Sequence, residues 1–366
     1  MEKLINITGK ALSGEWGIDD EEGIGIPVLR TTNFTNDGII DYSNVITRTI
    51  TKKNIADKFL RKGDIIIEKS GGSDNKPVGR VVYFDNDENK YLFNNFTGLL
   101  RVKDTTKWLP KYIFYSLFAN YQSGSTRRYE NKTTGLHNLQ TDFYVKDFEI
   151  KEISYGEQIE ICELFDGITD LIDKRKRQLE KLDELVKSRF VEMFGDIHRS
   201  TKWEKKPWAE LVTIQNGRDY KNIIVESGGY PVYGTGGEMA RASDYLCPEN
   251  TIIIGRKGTI NNPLLVKEKF WNVDTAFGVM VGNKLHYQYF YNFCRMFDFS
   301  TLNKQAVLPS TTKADLLKIE VAVPPLALQN RFAAFVEQVD KSKFEIKQSL
   351  EKLELLKKAL MQKYFG

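Results

Sequence analysis

The sequence predicts an α+β chain that is built twice. Two α/β globular units, related by a pseudo-two-fold axis, are joined by two long helices that pair antiparallel as a coiled coil. Three observations predict this. Residues 178–195, QLEKLDELVKSRFVEMFG, return near the end as SLEKLELLKKALMQKYFG at 349–366. The offset of 171 places Gln158 on Gln329, Leu179 on Leu350, Leu182 on Leu353, Phe194 on Phe365 and Gly195 on Gly366 without a gap. The remaining segments repeat more loosely but in one order, which is the signature of duplication.

The helices are the clearer half of the repeat. From Gln158 the apolar positions run Phe165, Ile168, Ile172, Leu179, Leu182, Val186 and Met193, with Arg175 and Arg189 at the missing steps. The second copy runs Val336, Val339, Ile346, Leu350, Leu353, Leu360 and Tyr364, interrupted by Lys343 and Lys357. Alternating three–four spacing is a coiled-coil seam. Ile168, Ile172, Leu179, Leu182 and Val186 are expected to pair with Val339, Ile346, Leu350, Leu353 and Leu360. Asp183–Lys187 and Glu354–Lys358 have the i,i+4 spacing of ion pairs along one helix. Pro324-Pro325 precedes the second helix and Gly195 is placed to stop the first. Each helix is expected to run for about 35 residues, or ~50 Å. The division is 1–152, a globular unit; 153–198, a helical spacer; 199–323, a second unit; and 324–366, a second spacer.

The units repeat as strand and turn signals. GDIIIEKSGGSDNKPVG (63–79) answers NTIIIGRKGTINNPLL (250–265), LFNNFTG (92–98) answers FWNVDTAFG (270–278), and KYIFYSLF (111–118) answers HYQYFYNF (286–293). TTGLHNLQ (133–140) answers QAVLPSTT (305–312). LINITG (4–9) and LVTIQNG (211–217) read as opening strands, and the aromatic runs 112–119 and 287–296 as helices. No apolar run approaches the ~18–20 residues of a membrane span. Cys162, Cys247 and Cys294 lie far apart, without the spacing of a disulfide framework or zinc site, which fits a reducing cytoplasm. The net charge of +4 permits a nucleic acid partner without requiring one.

The polar loops carry the functional signal. Lys69-Ser70-Gly71-Gly72 and Arg256-Lys257-Gly258-Thr259 each follow a triple-isoleucine strand. Glycine-rich basic loops bring N–H groups and cations to phosphates. Alone, either is an ordinary turn; their recurrence at matching places singles them out. Thr133, Thr134, His137 and Asn138 precede the last strand of the first unit, as Lys304, Gln305, Ser310, Thr311 and Thr312 do in the second. Asn, Gln, Arg and Lys are the side chains that reach base edges in pairs of hydrogen bonds. Arg127-Arg128 and the cluster of Arg218, Tyr220 and Lys221 add basic and aromatic surface.

Catalytic patterns are missing. His137, His198 and His286 lack metal-ligand spacing, and neither a nucleophile elbow nor a Walker loop occurs. Gly234-Thr235-Gly236-Gly237 lacks the spaced glycines of a dinucleotide or methyl-donor site. Asp85 with Glu88-Asn89-Lys90 only faintly follows a metal-dependent nuclease pattern. A binding protein fits better than a catalyst.

Taken together, the chain resembles the specificity (S) subunit of type I restriction–modification systems along its whole length. The motifs that carry the resemblance are GEWG (14–17), RTTNF (30–34), GDIIIEKSGGSDNKPVGR (63–80), NKTTGLHNL (131–139), NGRDYK (216–221), YGTGG (233–237), GRKGTINNP (255–263), FWNVDTAFG (270–278) and the two helices. The resemblance implies that each globular unit is a target recognition domain reading one half of an asymmetric, split target in double-stranded DNA. Arg80, Asn261 and Asn262, inside these motifs, join the candidate DNA-binding set. It further implies helices that dock methyltransferase (M) subunits, usually two, and restriction (R) subunits. S-adenosylmethionine, ATP and magnesium are then expected on those partners and none on this chain.

Overall fold

The computed structural model describes residues 1–133, 135–199, 201–302 and 310–366, without the side chains of Lys132 and Thr133. Two helices of 40 residues each, Tyr155–Phe194 and Leu326–Phe365, dominate the element order. They are longer than the apolar seam alone suggests, because each begins nearly three turns before the first seam residue, Phe165 or Val336. The first stops at Gly195, whose φ of 88° suits a residue without a side chain and whose N–H closes on the Val191 carbonyl at 2.8 Å. The second starts directly after Pro324-Pro325.

The chain divides into two units, and the division cuts both helices. One unit is Met1–Lys174 with Leu350–Gly366; the other is Arg175–Ser349. In the first unit the early turns of one helix meet the last turns of the other: Phe165 packs on Tyr364 and Phe365, with ring centroids 6.3 and 5.8 Å apart. In the second unit the late turns of the first helix meet the early turns of the second, with Phe190 and Phe194 both 5.5 Å from Phe332. Within each unit the helical segments therefore run antiparallel. Ile168, Ile172, Val186 and Val339 are buried, while Leu179, Leu182, Ile346, Leu350, Leu353 and Leu360 are half-buried.

The same architecture is built in both units. In the first, an antiparallel sheet has the order Leu12–Ser13, Thr97–Leu100, Ile65–Glu68, Val81–Tyr83. In the second, the order is Val212–Asn216, Ala276–Val281, Thr251–Gly255, Leu264–Val266. The triple-isoleucine strand is internal in each, and all six isoleucines are wholly buried. β-Branched side chains suit such a position because both faces are covered. A second sheet pairs Ile26–Leu29 with Leu92–Phe93 in parallel, and Tyr230–Gly234 with Trp271–Asn272 likewise. The aromatic helices Pro110–Gln122 and Tyr287–Met296 pack on the antiparallel sheets that hold the triple-isoleucine strands.

Two buried glutamines show how closely the copies agree. Gln158 accepts a hydrogen bond from Leu109 N at 2.8 Å and donates to Lys107 O and Ile153 O at 3.0 and 3.2 Å. Gln329 accepts from His286 N at 2.7 Å and donates to Lys284 O and Pro324 O at 3.1 and 2.7 Å. Each ties the start of a long helix to the start of an aromatic helix. Tyr112 and Tyr289 add a matching bond, each donating at 2.9 Å to the carbonyl of Lys151 or Ala322.

Two sequence expectations are corrected. LINITG is not a strand: Leu4–Thr8 is a short helix that buries Leu4, Ile7 and Thr8 on one side, the i,i+3/i+4 spacing of a helix. The first unit's counterpart to Val212–Asn216 is Leu12–Ser13 instead. Asp183 turns away from Lys187 to Lys343 at 2.9 Å and Arg295 at 3.2 Å.

Candidate nucleic-acid interface

In each unit three polar segments converge on one turn. In the first unit the turn is Asn94–Thr97, closed by Thr97 N donating to Asn94 O at 3.1 Å and Thr97 Oγ1 to the same oxygen at 2.9 Å. Lys69 N donates to Phe96 O at 2.8 Å, and Glu15 N to Phe93 O at 2.8 Å. In the second unit Arg256 N donates to Thr275 O at 2.8 Å and Arg218 N to Asn272 O at 3.0 Å. Lys69 and Arg256 are thus equivalent, as are Phe96 and Thr275. Gly14 and Gly217 permit the approach: a Cβ at either would fall 2.1 Å from Asn94 O or 1.8 Å from Val273 O.

The late polar segments join the same places. His137 and Asn138 pair with Gly72 and Ser70, and Leu139 N donates to Lys69 O at 2.8 Å. Ser310 bridges Lys257, Thr311 N donates to Arg256 O at 3.0 Å, and Thr311 Oγ1 donates to Gly255 O at 2.7 Å. The two loop groups recognised from sequence are therefore neighbours in each unit.

The side chains sort into exposed and interior. Gly71, Arg128, Arg218, Lys221, Arg256, Lys257, Thr259 and Asn262 are exposed, and Lys69, Ser70, Asn138, Tyr220 and Ser310 are half-buried. Burial holds the Lys69 ammonium below the usual lysine value, with the charge of Lys58 adding to the effect, while its Nζ donates to Ser13 Oγ at 3.1 Å. Arg127 bonds the carbonyl of Asp74 at 2.8 Å and steadies the turn after Gly72. Arg128 lies over the Tyr129 ring at 4.6 Å, beside Asp147 rather than the loop.

Several candidates are structural. Arg80 is buried, its guanidinium donating to Phe34 O at 2.7 Å, Thr31 O at 2.8 Å and Glu68 at 3.2 Å. It has no free face for a phosphate; its partner Glu68 has its pKa raised by burial despite that contact. His137 is buried between Glu130 at 2.7 Å and Asp74 at 3.4 Å. Thr311 and Gly72 are likewise buried. Asn261 is spent locally on Asp298 at 2.8 Å and Phe299 N at 2.7 Å, and Thr312 caps the short helix Lys313–Leu316 by accepting from Asp315 N at 3.1 Å. Thr134, Lys304 and Gln305 lie outside the described residues, as does the side chain of Thr133. Among the described residues no three His, Cys, Asp or Glu side chains gather as a metal site.

Comparison with known proteins decides what these surfaces belong to. The model of the type I restriction modification DNA specificity domain matches residues 3–183 and again 200–357. The chain belongs to this family. A protein of Methanocaldococcus jannaschii described as the specificity subunit of the type I restriction enzyme MjaX is 23% identical over 375 residues, covering 93% of this chain and 87% of the relative. The crystal structure of the S subunit of a type I restriction–modification system from M. genitalium shares the fold, with a TM-score of 0.62 at 16% identity, over 100% of this chain and 95% of the other. A second structure, solved in work on complex assembly and conformational transition of a type I R-M system, has a TM-score of 0.59 at 15% identity over 99% and 96% of the two chains.

As a type I specificity subunit the protein recognises a DNA target and works with other subunits of a complex. It is not itself the catalyst: catalysis falls to partner subunits of the complex. Among the described residues no helix is long and apolar enough to cross a membrane. Sequence reasoning missed the Asn94–Thr97 turn as the centre of the first cluster. Its only signal was the NNFTG match to NVDTAFG, which marks a turn but not what converges on it.

Proposed function

We propose that each unit of this specificity subunit reads one half-site of an asymmetric bipartite target in double-stranded DNA, and that the helices dock methyltransferase subunits, usually two, with restriction subunits added to the complex. One observation carries the reading. The same three-segment cluster recurs on the same scaffold in both units, but with different side chains: Lys69-Ser70-Gly71 in one and Arg256-Lys257-Gly258 in the other. A shared scaffold supports two readers, and different side chains support two different half-sites. Lys69, Arg256 and Lys257 suit backbone phosphates, which position a reader, while Ser70, Asn138 and Asn262 suit base edges. S-adenosylmethionine, ATP and magnesium belong on the partner subunits in this reading, and the three free buried cysteines fit a cytoplasmic setting.

Exchange of the second unit tests it. Replacing 199–323 by the matching segment of another specificity subunit, then mapping methylated sites produced with the methyltransferase partner, is expected to change one half of the target only. A change in both halves, or a contiguous target, would overturn the reading.

A further inference from the structure

We infer that Phe96 is a base-contacting residue of the first unit, supplying an apolar contact to a DNA base that the second unit lacks. The inference rests on the reading of the units as DNA readers and names a contact within it. A single exposed aromatic is ordinary on a protein surface, so its place has to decide the matter. Phe96 is 54% exposed and stands in the turn that Lys69 bonds, with Glu15 and Ser13 held on the flanking residues Phe93 and Gly98. Among the described residues no ring packs against it, although the molecule is rich in aromatic pairs elsewhere.

The backbone under the ring is fixed from both sides. Thr97 closes the turn on Asn94 O, and Lys69 N holds the Phe96 carbonyl at 2.8 Å. A tethered aromatic loses little freedom on binding, which favours its use as a contact. The equivalent position in the second unit, defined by the matching bond from Arg256 N, is Thr275. The scaffold therefore does not require an aromatic there. Asn95 beside Phe96 is exposed, and Lys69, which bonds the Phe96 carbonyl, is followed by Ser70, the strand partner of Asn138.

Such a ring meets a base in one of two ways, both apolar: against the thymine methyl group in the major groove, or by stacking on a base face. The test uses the full chain assembled with its methyltransferase partner and duplexes carrying the mapped target. Phe96→Thr, which copies the second unit, and Phe96→Ala are expected to weaken binding by about 5- to 100-fold and to relax one position in the first half-site alone. The melting temperature should stay unchanged because the ring is exposed. Uracil in place of thymine in that half-site assigns the methyl contact if binding by the parent falls and binding by Phe96→Ala does not. Insensitivity to uracil, with recovery in Phe96→Trp but not Phe96→Leu, assigns stacking. Unchanged affinity and an unchanged half-site in both variants overturn the inference. If the parent complex itself fails to bind the duplex, it is the DNA-reading role that falls.

Discussion

Two basic residues taken from equivalent-looking motifs are expected to behave in opposite ways. Lys257 is exposed on the loop after the triple-isoleucine strand. Its replacement by alanine should weaken binding to all duplexes alike and lower the slope of log affinity against log salt by about 1; a loss confined to one sequence would point to a base contact instead. Arg80 stands in the matched motif of the first unit but faces inward to Glu68. Arg80→Ala would leave a buried carboxylate without its cation, a loss of about 3–5 kcal/mol for such pairs. The expected outcome is a lower melting temperature for the first unit, seen by calorimetry without DNA. An unchanged melting temperature with a shallower salt slope would return Arg80 to the surface set. Sequence alone could not separate these residues. Arginine and lysine in a glycine-rich motif look like phosphate ligands, and only the approach of Thr31, Phe34 and Glu68 from distant segments shows that one of them holds the fold. His137 misled for the same reason, since Glu130 and Asp74 enclose it.

At the level of elements, the helices were the most legible part of the sequence. Their spacing is local, so three–four periodicity survives in the bare chain, and the offset between Gln158 and Gln329 marks two clamps that the fold builds alike. The charged interruptions of the seam were legible as positions but not as interactions. Lys343 reaches Asp183, and Lys357 lies 5.9 Å over the ring of Phe118. Arg189 lies over Phe335 at 5.9 Å. Each of these three charged heads finds a partner outside its own helix. Asp183 yields a pH test. Its partial burial alone would raise the carboxyl pKa, but hydrogen bonds and charge from Lys343 and Arg295 outweigh that and hold it below the usual 3.8. The folded state therefore favours the ionised form. That stabilisation is present above the usual value and is lost as pH falls through the lowered one. Asp183→Asn should melt earlier than the parent at pH 7, and the gap should close on acidification below about pH 4. A gap that persists in acid would mean that packing, not charge, makes the contribution. The short helix Leu4–Thr8 was misread because five residues are too few to separate a strand period from a helical one before burial is known.

For the whole molecule, the helices matter through their length. The division between the units falls between Lys174 and Arg175 in one helix and between Ser349 and Leu350 in the other. Extra residues at these two points leave each unit with all of its own helical packing. Insertion of one heptad at both points keeps the seam in register, because the apolar pattern repeats every seven residues. Each helix would lengthen by ~10 Å at 1.5 Å per residue. If the helices set the gap between half-sites, the unread DNA should grow by about 3 base pairs, at ~3.4 Å per step. Both half-sites should keep their bases, because neither reading cluster is touched. Mapping the methylated target of the lengthened chain, assembled with its partner, reads the gap directly. An unchanged gap with both half-sites intact would show that linker length does not measure the DNA, and would move spacing control to the partner subunits.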